Sequence, residues 1–240
     1  MFASYTATNV YVYGDIHGAF NIKCLFGLDI KMLPRRSILI QLGDFGLGFK
    51  DEALEEHTLY ELNELLIDRD IKLLVVRGNH DSPQRFKQYN YTRFSNINFL
   101  DDYTYLTINK YVYGFIGGAA SIDRYNRTPG KDYWEDELFI LDTNKAQRCD
   151  VLCTHTGPLY VGPSDKSSIR YYLKNDKYLW EACKKERVGV EELIKLCKPT
   201  LHYCGHFHCN DCIQMHECLS RVVNIEEILP VNEYSLQVKN

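Results

Sequence analysis

Asp, His and Asn side chains recur in this sequence inside short glycine-flanked blocks. They are Asp15 and His17 in GDIHG, Asp44 in GDFG, Asn79 and His80 in RGNHD, His155 in CTHTGP, and His206 and His208 in GHFH. Carboxylate and carbonyl oxygens suit Mn or Mg, whereas imidazoles suit Zn, Fe or Ni, so this mixed donor set fits divalent cations without calling for thiolates. Two such ions about 3.5–4 Å apart can share one carboxylate, polarise one water and clamp a phosphoryl group for in-line displacement. Asp44 is the candidate bridge.

Those side chains need elements that bring them to one place. Each block follows an apolar run that reads as a strand: NVYVYG at 9 to 14, SILIQLG at 37 to 43, IKLLVV at 71 to 76, VLCTH at 151 to 155, and TLHYCG. Loops leaving the carboxyl ends of parallel strands converge on one crevice, so chain-distant blocks can supply a single site. Gly14, Gly18, Gly43, Gly78 and Gly205 then let the backbone turn sharply and approach the ions.

Helical patterns separate the early strands, one near 19 to 30 and one from Asp51 with Leu54, Leu62, Leu65 and Leu66 at helical spacing, which is βαβ grammar. The stretch INFLDDYTYLTINKYVYGFIGG reads differently, as an antiparallel meander turning at Asp-Asp and at Asn-Lys. Trp134 to Gln147 is predicted helical, 176 to 197 carries two helical patterns, and CIQMHE and RVVNI are further strands. The sum is a sheet-on-sheet α/β core with helices outside, in a single domain over 1–240.

Composition narrows the function. A net charge of −4 over 240 residues gives no broad basic surface, which disfavours long nucleic acid as a partner. The start MFASYTATNV lacks a charged region followed by an apolar stretch, and no long apolar run occurs, so neither export nor membrane spanning is expected and the chain reads as cytoplasmic. Nine cysteines, an odd number, fit reduced thiols there better than a disulfide framework.

Any one block has an ordinary reading as a strand-ending turn, an N-cap or a surface imidazole. Their joint order, each just after a strand, does not. That order resembles the calcineurin-like metallophosphoesterase superfamily, with motifs running from Tyr13 to His208. The resemblance implies a four-layer sandwich of two mixed sheets flanked by helices, a dinuclear metal centre and hydrolysis of a phosphate mono- or diester by a bridging hydroxide. It implies one metal on Asp15, His17, Asp44 and His208, and another on Asp44, Asn79, His155 and His206. Manganese leads the expected metals, with Fe, Zn, Ni or Mg as alternatives. His80 is implied as the acid assisting the leaving oxygen, oriented by Asp81. Expected substrates are a phosphoprotein, a nucleotide or another small phosphoester.

The chain also departs from part of that superfamily. Members resembling the serine/threonine phosphatases carry a second Asp and an Arg after the GD motif, whereas this sequence continues Phe45, Gly46, Leu47, Gly48. The segment GGAASIDRYNR followed by DYWEDE resembles the small bacterial and phage-type members, and it makes Arg124 and Arg127 candidates to contact substrate. Asp44-Phe45-Gly46 matches a kinase tripeptide, but the companion kinase motifs are missing. Cys204, Cys209, Cys212 and Cys218 contain a Cys-x-x-Cys pair that could hold a structural zinc, though no second pair at standard spacing accompanies it. His57 and His216 read as ordinary polar positions. The alternative from another class is a binding scaffold that kept the fold and lost activity; with every expected ligand position and His80 filled, the enzyme is the preferred reading.

Overall fold

The computed structural model describes residues 3–90 and 93–232. The chain builds two mixed sheets. A five-stranded sheet runs in the order β12 (Ile228–Pro230), β2 (Asn9–Tyr13), β3 (Ser37–Gln41), β4 (Ile71–Val75), β5 (Ile97–Phe99). All of its pairings are parallel except that of β12 with β2. A seven-stranded sheet runs β1 (Ala3–Tyr5), β6 (Thr104–Ile108), β7 (Tyr111–Ile116), β8 (Val151–Thr154), β9 (Leu201–Cys204), β11 (Cys218–Val222), β10 (Asp211–Met215). There, β6–β7 and β10–β11 are antiparallel and the others parallel.

Strand periodicity sorts the side chains into layers. In β3, Ile38 and Ile40 face the other sheet and meet a core that includes Tyr113, Phe115, Val151 and Leu201, while Leu39 between them faces outward. That outer face is covered by α1 (Leu25–Met32), α2 (Glu52–Arg69) and α3 (Pro83–Asn90), through Phe26, Leu62 and Phe86 among others. The far face of the seven-stranded sheet is covered by α4 (Leu179–Cys197), whose Val190, Leu193 and Ile194 pack with Tyr105 and Leu152. The result is the expected four-layer sandwich. Both faces of the central parallel strands are buried, which is why β3, β4 and β8 read as continuous apolar runs.

Several local expectations need correction. Residues 97–99 do not open the meander: β5 pairs in parallel with β4 in the other sheet, because α3 carries the chain back as a βαβ crossover. Helix α3 lies outside the expected elements, and Ser82 before Pro83, with its hydroxyl accepting the Arg85 N–H, is its start signal. In α2, capped by the Asp51 carboxylate on the Ala53 N–H, the buried face is Leu59, Leu62 and Leu66, and Leu54 is exposed. Residues 134–147 form turns instead of a helix. Their carbonyls serve other segments: Arg77 takes those of Asp136, Glu137 and Leu138, and the Tyr103 hydroxyl takes that of Ile140. All nine cysteines are free thiols. Among the described residues, no helix is long and apolar enough to cross a membrane.

Candidate metal centre

The carboxyl ends of β2, β3, β4, β8 and β9 open at the same end of the sandwich, and their loops meet. From the loop after β2, Asp15 is fully buried, and its carboxylate accepts the His206 backbone N–H at 3.1 and 3.2 Å. Its Oδ2 lies 3.0 Å from His208 Nε2 and 3.9 Å from His17 Nε2. Asp44, after β3, sits at the middle: Oδ1 accepts the His80 backbone N–H at 2.8 Å and lies 3.3 Å from His155 Nε2. Its Oδ2 lies 3.9 Å from His17 Nδ1 and 3.8 Å from His80 Nε2.

Ligand-type atoms thus gather in three overlapping groups, each within 4.8 Å: Asp15, His17 and His208; His17, Asp44 and His80; Asp44, His155 and His206. Asn79 completes the last, its Oδ1 2.9 Å from His155 Nε2. All seven residues expected as ligands therefore face one place, and Asp44 stands between the two outer groups.

The backbone is bent hard to achieve this. His17, Asp44, His206 and His208 all have left-handed φ angles, between 45° and 66°. Non-glycine residues there cost on the order of 1 kcal/mol each, and such strain concentrates at functional sites. Close approach also explains two glycines. A side-chain carbon on Gly43 would overlap the His155 ring, and one on Gly78 would overlap the Asp44 backbone N.

The donor chemistry fits cations. His155 Nδ1 lies 2.8 Å from the Leu42 carbonyl, which can only accept, so Nδ1 carries the proton. The Nε2 lone pair then faces Asp44 Oδ1 and Asn79 Oδ1, and three acceptors this close require positive charge among them. With protons alone, burial opposes charge on His155, yet Asp44 outweighs it and lifts the imidazole to about 9. Burial likewise pushes the Asp44 carboxyl up, and His155, His80 and His17 overcome it and hold Asp44 well below the usual range. Burial lowers His206 and His80, whereas the hydrogen bond to Asp15 raises His208.

A cavity of about 420 Å³ opens over the cluster, with His17, Asp44, Asn79 and His80 in its floor and Tyr172, Trp180 and Phe207 in its walls. A larger cavity of about 740 Å³, beside Ile194, Pro199 and Met215, contains none of the converging side chains.

The remaining expected residues divide. Arg127 lines the cavity; its Nη2 is 2.7 Å from His80 Nε2 and pairs with Asp123 at 2.7 Å. Since a guanidinium only donates, His80 Nε2 accepts. Arg124 is turned away: its Nε donates to Asp176 at 2.6 Å, tying its loop to the segment before α4, so it is not placed to meet substrate. Asp81 does not pair with His80. Its carboxylate takes backbone N–H groups of Phe45, Gly46, Leu47 and Gly78, so it locks the loop after β3 to the loop after β4. Burial and the nearby Asp44 raise its pKa against the N–H groups of Gly78, Gly46 and Leu47. Cys204, Cys209, Cys212 and Cys218 gather no ligand group among the described residues.

Sequence reasoning missed Ser121 and Glu137, both buried beside Asn79, and no pattern in their loop announces them. Burial pushes Glu137 up to about 7, opposed by the Ser121 N–H and hydroxyl.

A family model for calcineurin-like phosphoesterases matches residues 8–210. The chain belongs to that family. Calcineurin-like phosphoesterases are metal-dependent hydrolases acting on phosphoric ester bonds, and the match spans every strand end that feeds the cluster. No curated protein sequence matches this chain. Among solved structures, it resembles a Staphylococcus aureus protein described as a 5'-nucleotidase, in complex with alpha-ketoglutarate, at 16% identity and a TM-score of 0.51. That comparison covers 95% of this chain and 52% of the other, so this chain spans about half the length of the S. aureus protein. It also aligns with GAP50, the anchor in the inner membrane complex of Plasmodium, at 16% identity and a TM-score of 0.40, covering 93% of this chain and 70% of that one. A protein serine/threonine phosphatase from Saccharomyces cerevisiae aligns at 14% identity and a TM-score of 0.38, covering 93% and 71%. The likeness to the S. aureus protein speaks for the fold.

Proposed function

We propose that this chain hydrolyses phosphate esters using two divalent cations, one held by Asp15, His17, Asp44 and His208, the other by Asp44, Asn79, His155 and His206. The observation that carries the reading is the position of Asp44, whose two oxygens face ligand groups on opposite sides. Bound there, divalent cations acidify a water and offset charge on phosphoryl oxygens. Manganese suits the mixed oxygen and nitrogen donors, with Fe, Zn, Ni or Mg as alternatives.

The chain's own groups supply the rest. Arg127 projects its guanidinium beside His80 at the cavity floor, where its fork suits two phosphate oxygens. His80 faces the same space and is the group placed to hold or pass a proton at Nε2 once Arg127 turns to the phosphate. Asp81 acts at a distance, by fixing the two loops that carry Asp44 and His80. Trp180, Tyr172 and Phe207 wall the cavity on the side facing these groups. The substrate class is a phosphoprotein, a nucleotide or another small phosphoester; the net charge of −4 speaks against long nucleic acid. Nine free thiols suit a reducing cytoplasm.

The test is turnover of p-nitrophenyl phosphate and of its bis ester with added Mn²⁺. Metal-dependent hydrolysis of either is expected, and the faster ester separates monoesterase from diesterase. No turnover of either with metal bound favours an inactive scaffold.

A further inference from the structure

An amide ligand has a problem that a carboxylate lacks, since its two ends are nearly the same shape and opposite in polarity. Asn79 is 2% exposed, and only its Oδ1 end is useful to a cation. Its Nδ2 donates to Ser121 Oγ at 2.9 Å. The Ser121 hydroxyl donates to Glu137 Oε2 at 2.9 Å, and the Ser121 backbone N–H donates to Glu137 Oε1 at 2.8 Å. Both Ser121 and Glu137 are buried, at 1% and 0% exposure.

The direction of this chain of bonds is set from its far end. In its ionised form, which prevails above about pH 7, Glu137 can only accept, so the Ser121 hydroxyl donates to it, which leaves a lone pair that can only accept. Asn79 must then present its N–H₂ to Ser121 and its oxygen to the cluster. Turning the amide over would make the hydroxyl choose between Asn79 and Glu137, and one buried acceptor would go without a partner. Glu137 is itself strapped to the loop after β4 that bears Asn79. The Arg77 guanidinium donates to the carbonyls of Asp136 and Glu137 at 3.2 and 3.0 Å, Gly118 N–H donates to Arg77 O at 2.7 Å, and Ala119 N–H to Glu137 O at 3.0 Å. Arg77 lies two residues before Asn79.

We propose that Ser121 and Glu137 are positioning residues that fix which end of the Asn79 amide faces the metal cluster. The inference rests on the reading of Asn79 as a ligand, and it concerns residues outside the motif blocks.

The test is a calorimetric Mn²⁺ titration of the metal-free full chain, which needs no turnover. Ser121→Ala should weaken one of the two binding events by about 10- to 100-fold, the usual range for groups that orient a ligand. Glu137→Gln keeps the shape but must place its N–H₂ against either the Ser121 hydroxyl or the Ser121 N–H, so it should weaken the same event in the same direction. In an Asn79→Ala background, Ser121→Ala should weaken Mn²⁺ binding no further. Unchanged affinity in both single variants overturns the proposal, as does an equal loss from Ser121→Ala with Asn79 already removed. A drop in the melting temperature of the metal-free protein large enough to account for the lost affinity also overturns it, because the role is then structural. If the unmodified chain binds no Mn²⁺, the ligand reading itself has failed, which is a separate result.

Discussion

Two regions of this molecule carry the residue types that bind metals, and only one brings them together. The strand-end loops converge because β2, β3, β4, β8 and β9 all finish at one end of the sandwich, so blocks separated by as many as 193 residues place atoms within hydrogen-bond distance. The hairpin of β10 and β11 has Cys212, His216 and Cys218 close in sequence, but antiparallel pairing and side-chain alternation send Cys212 outward and Cys218 inward. Strand polarity, more than residue spacing, decides whether ligand types become a site.

The sharpest break of that contrast is Asp44→Asn, which keeps the shape of the residue but removes the charge that both proposed ligand sets share. It should abolish tight binding of two Mn²⁺ ions and lower kcat by roughly 10²–10³-fold or more, read by calorimetry and ester turnover. His80→Asn separates binding from chemistry: kcat should fall by about 10²-fold with Mn²⁺ affinity within about threefold of the parent, since the side chain serves proton handling and not the ligand sets.

These two positions were legible in the sequence because each follows an apolar strand in a glycine-flanked block. Asp81 was legible as the acidic end of the RGNHD block but not in its role, since backbone N–H groups from the neighbouring loop, 34 to 36 residues away, claim its oxygens. Ser121 and Glu137 were not legible, because they lie in irregular chain where neither period 2 nor period 3.6 marks a buried position. The expected helix over 134–147 failed for a related reason: tertiary donors such as Arg77 took up the local carbonyls. Arg124 and Arg127 looked alike as sequence, and only packing shows that one is committed to Asp176 while the other reaches His80.

A smaller effect tests the wall of the cavity. Glu186 on α4 is 7% exposed, and its Oε2 has no hydrogen-bond partner. Burial raises it from 4.5 to about 8, so the folded chain keeps it neutral where the unfolded chain ionises it. The stability this protonated form contributes is full below the unfolded value and is lost as pH rises through about 8. The metal-free chain should lose on the order of 2 kcal/mol between about pH 6 and pH 9, and Glu186→Gln should flatten that fall in urea titrations. A pH dependence identical to that of the parent would remove Glu186 as its source.

The smallest effect is expected in the hairpin. Cys209→Ser with Cys212→Ser should leave the bound-metal content unchanged and stability within about 0.5 kcal/mol, as for surface substitutions. Loss of zinc from the purified variant would mean that the hairpin also holds a site.

The convergence itself is tested most directly by anomalous diffraction from crystals of the full chain grown with manganese. Two peaks should flank Asp44, one beside Asp15, His17 and His208 and the other beside Asn79, His155 and His206. Manganese bound away from Asp44, or Asp15, Asp44, Asn79 and His208 pointing apart in that crystal, would contradict the account.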